Sequence, residues 1–150
     1  MTNGEQHDLE RLRQTFNVQA AAYDRWRPGY PEQLFADVIS LSGIQDGGAI
    51  IEIGCGTGQA TEPFLKRGYG VTAIELGENL AEFSRCELVG YPKFKVITGA
   101  FENQQSLENK FDLLISATAF HWVDPNVRYE KAWSCLRPGG AIALFWNEHV

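Results

Sequence analysis

Apolar residues recur at helical spacing early in the chain. Leu9, Leu12, Phe16 and Ala20 share one face and predict a helix over residues 9–22. Arg27-Pro28-Gly29-Tyr30-Pro31 then breaks the pattern, and a second helix is expected over 31–41, burying Leu34, Phe35, Val38 and Ile39. After Asp46-Gly47-Gly48 the rhythm changes to short apolar runs separated by amphipathic stretches. Strands are expected at 49–53, 70–75, 94–98, 111–117 and 141–146, with helices at 59–66, 78–88 and 127–136 between them. The run at 49–53 is apolar throughout apart from Glu52, as a strand covered on both faces requires.

Strands alternating with helices predict an α/β fold with a parallel sheet and right-handed crossovers, a doubly wound arrangement. In such a sheet ligands sit at the carboxyl ends of the strands. No internal repeat, low-complexity tract or linker interrupts the pattern.

Composition narrows the functional classes. A chain of 150 residues with 44% hydrophobic content is about one globular domain. No stretch of about 18 apolar residues is present, so no membrane span is expected. The polar start, Met1-Thr2-Asn3-Gly4-Glu5, is unlike a secretory signal. Cys55, Cys86 and Cys135 form neither a CxxC pair nor an even set, which points to free thiols and a cytoplasmic setting. The net charge of −6 disfavours nucleic acid, and the basic residues are scattered apart from Arg11, Arg13, Arg25 and Arg27. A small-molecule substrate is favoured.

The chemistry is concentrated in Ile50-Ile51-Glu52-Ile53-Gly54-Cys55-Gly56-Thr57-Gly58. A dinucleotide fingerprint needs G-x-G-x-x-G, but position 59 is Gln, and no Gly-Lys-Ser/Thr follows for a phosphate loop. An acidic residue followed by Gly-x-Gly-x-Gly resembles the first motif of class I S-adenosylmethionine (SAM)-dependent methyltransferases. That resemblance implies a Rossmann-like sheet of strand order 3-2-1-4-5 and SAM as cofactor, with no metal. It places Gly54, Cys55, Gly56 and Gly58 against the cofactor, with Glu52 near its ammonium and sulfonium groups, directly or through water. It further implies that Glu75 accepts ribose hydroxyls and that Leu76 packs on adenine. After the third strand the family usually carries Gly-Asp-Ala, whereas this chain reads Thr98-Gly99-Ala100-Phe101-Glu102. Ala100 cannot accept a hydrogen bond from adenine through its side chain, so the Phe101 N–H and the Glu102 side chain are expected to cover the adenine edge instead.

Two further segments resemble small-molecule methyltransferases of the UbiE and trans-aconitate methyltransferase type. The first is residues 17–31, where the resemblance implies an N-terminal helical cap (residues 1–45) over the core (residues 46–150). Within it Tyr23, a catalytic candidate, and Arg27 face SAM or substrate, while Trp26 packs the helix onto the sheet. The second, Ser116-Ala117-Thr118-Ala119-Phe120-His121-Trp122, puts Ala117 and Thr118 under the cofactor and His121 and Trp122 toward the substrate. His121 is read either as a general base or as a loop hydrogen-bonding residue. The Asp/Asn-Pro-Pro-Tyr/Phe segment of amino-group methyltransferases on adenine or glutamine is absent here, as is a cysteine nucleophile.

The family adds two strands, sixth and seventh, beyond the fifth, so the chain is expected to be the N-terminal part of a longer enzyme or a shortened relative. An open fifth strand is then expected to recruit a second copy as a homodimer. The function expected is methyl transfer from SAM to a carboxylate, hydroxyl or carbon of a small molecule. The alternatives are a non-catalytic SAM-binding fragment, a tRNA-modifying methyltransferase and, more distantly, a dinucleotide oxidoreductase.

Overall fold

The computed structural model describes residues 29–147, together with Gln19 and Ala22. Those two carry helical backbone. The rest of the helix expected over 9–22 lies outside the described residues, and so do Tyr23, Trp26 and Arg27.

Among the described residues five strands form one sheet: β1 (Ala49–Ile53), β2 (Gly70–Glu75), β3 (Phe94–Thr98), β4 (Phe111–Ala117) and β5 (Leu136–Phe145). Their order is β3-β2-β1-β4-β5, and every neighbouring pair is parallel. This is the Rossmann-like arrangement expected from the alternating pattern. Within residues 29–147 the strands are accompanied by the α-helices α1 (Glu32–Ser42), α2 (Glu62–Lys66), α3 (Glu78–Glu87) and α4 (Arg128–Cys135). None is long and apolar enough to cross a membrane.

Side chains alternate across a strand, so β1 feeds two cores. Ile50 points with Val71, Leu113 and Ile115 to the face where Phe35 and Val38 of α1 and Phe64 and Leu65 of α2 pack. Ile51 and Ile53 point with Ile74 and Leu114 to the other face, against Phe101, Phe120, Ala132 and Cys135. Phe35 and Phe64 meet edge to face at 5.3 Å, a contact worth about 0.5–1.5 kcal/mol beyond its area. α1 belongs to this core: it starts after Pro31 and stops at Gly43, whose φ of 70° reverses the chain. No α1 residue lines the cavity described below.

Two elements differ from the sequence expectation. α2 begins at Glu62 rather than Gln59, because Pro63 lacks an N–H and is accommodated only in a first turn. Residues 58–61 form a turn instead, in which Gly58 O accepts from both Thr61 N (3.2 Å) and Glu62 N (3.0 Å). At the other end, β5 starts at Leu136, upstream of the expected 141. Phe111 pairs with Leu136 but Leu113 pairs with Ala141, so Arg137-Pro138-Gly139-Gly140 bulges out of the ladder. Arg137 closes that bulge by gripping both oxygens of Asp112 at 3.1 and 3.0 Å. Asp112 also accepts Ala49 N–H at 2.8 Å, tying the start of β1 to β4.

Candidate active site

The sheet order reverses between β1 and β4, and a crevice opens there at the carboxyl ends of the strands. A cavity of about 590 Å³ fills it. Its walls are Gly54 and Gly56 after β1, Glu75 and Leu76 at the end of β2, Gly99 to Glu102 after β3, and Ala117 to Ala119 at the end of β4.

The loop after β1 follows its path because of its glycines. Gly54 has φ 72°, and a Cβ built there would lie 2.4 Å from the Ala119 Cβ. Only glycine lets the β1 and β4 loops touch at this point. Gly56 has φ 55°, and its N–H donates to Glu75 Oε2 at 2.9 Å. The other oxygen of Glu75 accepts Gly77 N–H at 3.1 Å. One carboxylate, 6% exposed, thus holds together the ends of β1 and β2. Those two donors leave part of its acceptor capacity for a ligand hydroxyl.

Several predicted residues converge on this cavity: Gly54, Gly56, Glu75, Leu76, Ala100, Phe101, Glu102, Ala117 and Thr118 all line it. Leu76 is 70% exposed, an apolar side chain offered to whatever occupies the space. Glu102 reaches across to the β4 side, where Oε1 accepts Asp124 N–H at 2.6 Å. Thr118 has φ 59°, a strained value for a β-branched residue. Its N–H donates to Phe145 O at 2.9 Å, and its hydroxyl pairs with the Tyr30 hydroxyl at 3.1 Å.

Three predicted loop residues do not reach the cavity. Glu52 is fully buried under the loop, on the Ile50 side of β1, and Thr61 Oγ1 donates to its Oε1. Residue 52 shares its face of β1 with residue 50 and is not among the residues that line the cavity. Cys55 turns away toward α3, with its thiol 3.7 Å from Ser84 Oγ. Gly58 backs onto Leu88.

His121 and Trp122, expected together, part company. Trp122 lines the first cavity, while His121 lines a second one of about 460 Å³ that shares Thr118 and Ala119 with it. Sequence reasoning missed Leu80 and Ala119 in the first cavity and Arg128, Tyr129 and Phe145 in the second. Only the arginine carried a readable signal: a cation in the first turn of a helix, where the dipole disfavours it.

The thiols give a checkable consequence. Burial, reinforced by the Glu52 and Glu75 carboxylates, pushes the Cys55 thiol far above its ordinary range, and burial also raises Cys135. Cys86 is exposed. Iodoacetamide at pH 8 under native conditions is expected to label Cys86 alone, as counted by mass spectrometry of tryptic peptides. Raised thiol values also mean that the unfolded chain loses these protons first, so stability falls as pH climbs past the ordinary thiol range near 9.0.

Comparison with known proteins agrees with this geometry. A family model described as "Methyltransferase domain" matches residues 51–144. An uncharacterized methyltransferase of Mycobacterium bovis is 29% identical over 133 residues, covering 89% of this chain and 52% of that protein. A malonyl-[acyl-carrier protein] O-methyltransferase of Ilyobacter polytropus is 29% identical over 140 residues, covering 91% and 52%. The crystal structure of a SAM-dependent methyltransferase from Aquifex aeolicus superposes with a TM-score of 0.67 at 17% identity, covering 85% of this chain and 71% of that one, a likeness of fold. The chain spans about half the length of the curated relatives it matches. With the family model covering β1 through most of β5 and the glycine loop at its start, the chain belongs to the methyltransferase domain family.

Proposed function

We propose that the larger cavity binds SAM and that the protein directs its methyl group to a small-molecule acceptor. The observation that carries this reading is the carboxylate of Glu75 bound to the Gly56 N–H. It joins the glycine loop to the end of β2, where an acidic residue meets a ribose in sheets of this kind. The residues fit such an occupant. Gly54 and Gly56 bring backbone close with no side chain in the way, and Glu75 keeps acceptor capacity for ribose hydroxyls. Leu76, Ala100 and Phe101 offer apolar contact to adenine, and Glu102 a polar edge. Ala117 and Thr118 line the larger cavity at the end of β4, and Thr118 also lines the second one.

When bound, SAM supplies an electrophilic methyl group on a sulfonium. The protein's share is alignment and exclusion of water. Thr118 and Ala119, common to both cavities, mark where an acceptor meets the cofactor. Trp122, 78% exposed, and Leu76 are placed to cover the site once it fills. His121, in the second cavity, serves as general base when the acceptor is a hydroxyl. A carboxylate acceptor needs no base, being ionised at neutral pH. Tyr23 is the second catalytic candidate and lies outside the described residues.

The test is transfer of label from methyl-tritiated SAM to a panel of carboxylic acids and quinols. Labelled product is expected with at least one class. Cofactor binding without transfer to any acceptor would favour a non-catalytic SAM-binding role.

A further inference from the structure

We propose that the second cavity is the acceptor site and that Arg128 selects an acceptor carrying a carboxylate in addition to the group that is methylated. The proposal rests on the reading of the larger cavity as the SAM site.

Arg128 is the one permanently charged side chain among the described residues that line the second cavity. Its guanidinium lies over the Phe120 ring at 5.6 Å and the Tyr129 ring at 5.2 Å, and those rings meet edge to face at 5.4 Å. Two aromatic faces therefore hold the cation in place, a stacking that suits Arg better than Lys. Its Nε is buried and has no hydrogen-bond partner among the described residues. No carboxylate among them forms an ion pair with it either. The acid one turn earlier is otherwise engaged, because Asp124 Oδ1 accepts both the N–H and the Nδ2 of Asn126. A cation drawn partly out of water, with its Nε buried and no counter-charge among the described residues, is an unfavourable arrangement, and a position in the first turn of α4 adds to it. An anionic ligand would remove both penalties.

The walls narrow the kind of anion. Leu144, Phe145 and Trp146 join Phe120 and Tyr129 around the single guanidinium. Largely aromatic and aliphatic walls, with Ser116, Thr118, His121 and Asn147 as the neutral polar groups and one fork-shaped cationic donor, fit an organic acid with a hydrocarbon body. A phosphate dianion calls for more than one cation. Position then separates anchoring from reaction. Thr118 and Ala119 are shared with the larger cavity, so the nucleophile has to arrive there, whereas Arg128 lines only the second cavity. A guanidinium that gripped the nucleophilic oxygens would also tie up the lone pairs that must attack. The gripped carboxylate is therefore a handle, and the methylated group is a second one.

The test is calorimetric titration of the full chain saturated with S-adenosylhomocysteine. The probes are the straight-chain dicarboxylates from succinate to sebacate, their dimethyl esters and inorganic phosphate. At least one diacid is expected to bind, with its ester weaker by about tenfold or more. Arg128→Gln is expected to weaken the diacid by a similar factor while its affinity for S-adenosylhomocysteine is unchanged. Arg128→Lys, which keeps the charge and loses the fork, is expected to lose about threefold or more, and it decides the matter if the Gln variant fails to fold. The proposal is overturned if S-adenosylhomocysteine binds and no diacid does, if either variant that folds binds the diacid like wild type, or if phosphate binds more tightly than every diacid. A wild-type chain that takes up no S-adenosylhomocysteine would overturn the parent reading instead, and this one with it.

Discussion

Gly54→Ala is expected to lower the stability of the protein by about 2–5 kcal/mol and to abolish measurable SAM binding. Two separate effects add. The backbone at residue 54 is left-handed, at φ 72°, which costs a residue with a Cβ roughly 1–2 kcal/mol. The new methyl would also stand 2.4 Å from the Ala119 Cβ, far inside contact distance. Ala119 cannot swing aside, because its Cβ is fixed to the backbone of the β4 loop. Relief requires the two loops to separate, an overpacking cost of about 1–3 kcal/mol. Both loops line the cavity, so the same displacement spoils the ligand site. Urea denaturation reads the first effect, and titration with S-adenosylhomocysteine reads the second. Gly68→Ala serves as comparison: φ is also left-handed, at 89°, but nothing lies within 4 Å of the added Cβ. It is expected to lose only the backbone share, about 1–2 kcal/mol, and to keep its ligand.

The second large effect is expected at Glu75. Its two oxygens accept one backbone N–H each, from Gly56 and Gly77, so the position needs two acceptors. Gln is close in shape but has only one acceptor oxygen, and its amide would face one of those N–H groups donor to donor. A buried donor left without a partner costs about 1–3 kcal/mol. Glu75→Gln is therefore expected to weaken SAM binding by about tenfold or more, with a drop in stability of that size. Glu78→Gln, at the exposed start of α3, is expected to leave affinity within about twofold of wild type. Equal losses in both variants would remove the special role given to Glu75.

Most of the fold was legible in the chain because parallel strands are short, apolar and punctuated by glycine. The strands at 49–53, 70–75, 94–98 and 111–117 coincide with those expected, residue for residue. The departures come from effects that periodicity does not carry. Pro63 delays α2, and the Arg137–Asp112 pair draws Leu136 into the ladder ahead of a bulge. The site was legible in part for a related reason. Glycine spacing exposes the loop, but the facing of its neighbours depends on strand alternation. Glu52, still inside β1, follows that alternation to the Ile50 face and Thr61, whereas Gly54 and Gly56 lie past the strand's end, where positive φ carries the backbone along the cavity. Arg128 was passed over because its meaning depends on Phe120 and Tyr129 being brought against it, a tertiary fact.

The most direct test of the central claim is titration of S-adenosylhomocysteine into the wild-type chain and into Gly56→Val, with NAD as control. Valine at φ 55° is strained, and its bulk enters the wall of the cavity at the N–H that Glu75 holds. Wild type is expected to bind one equivalent of S-adenosylhomocysteine and no NAD, and the variant to bind neither. Unchanged binding in Gly56→Val, or NAD bound in preference, would contradict that claim.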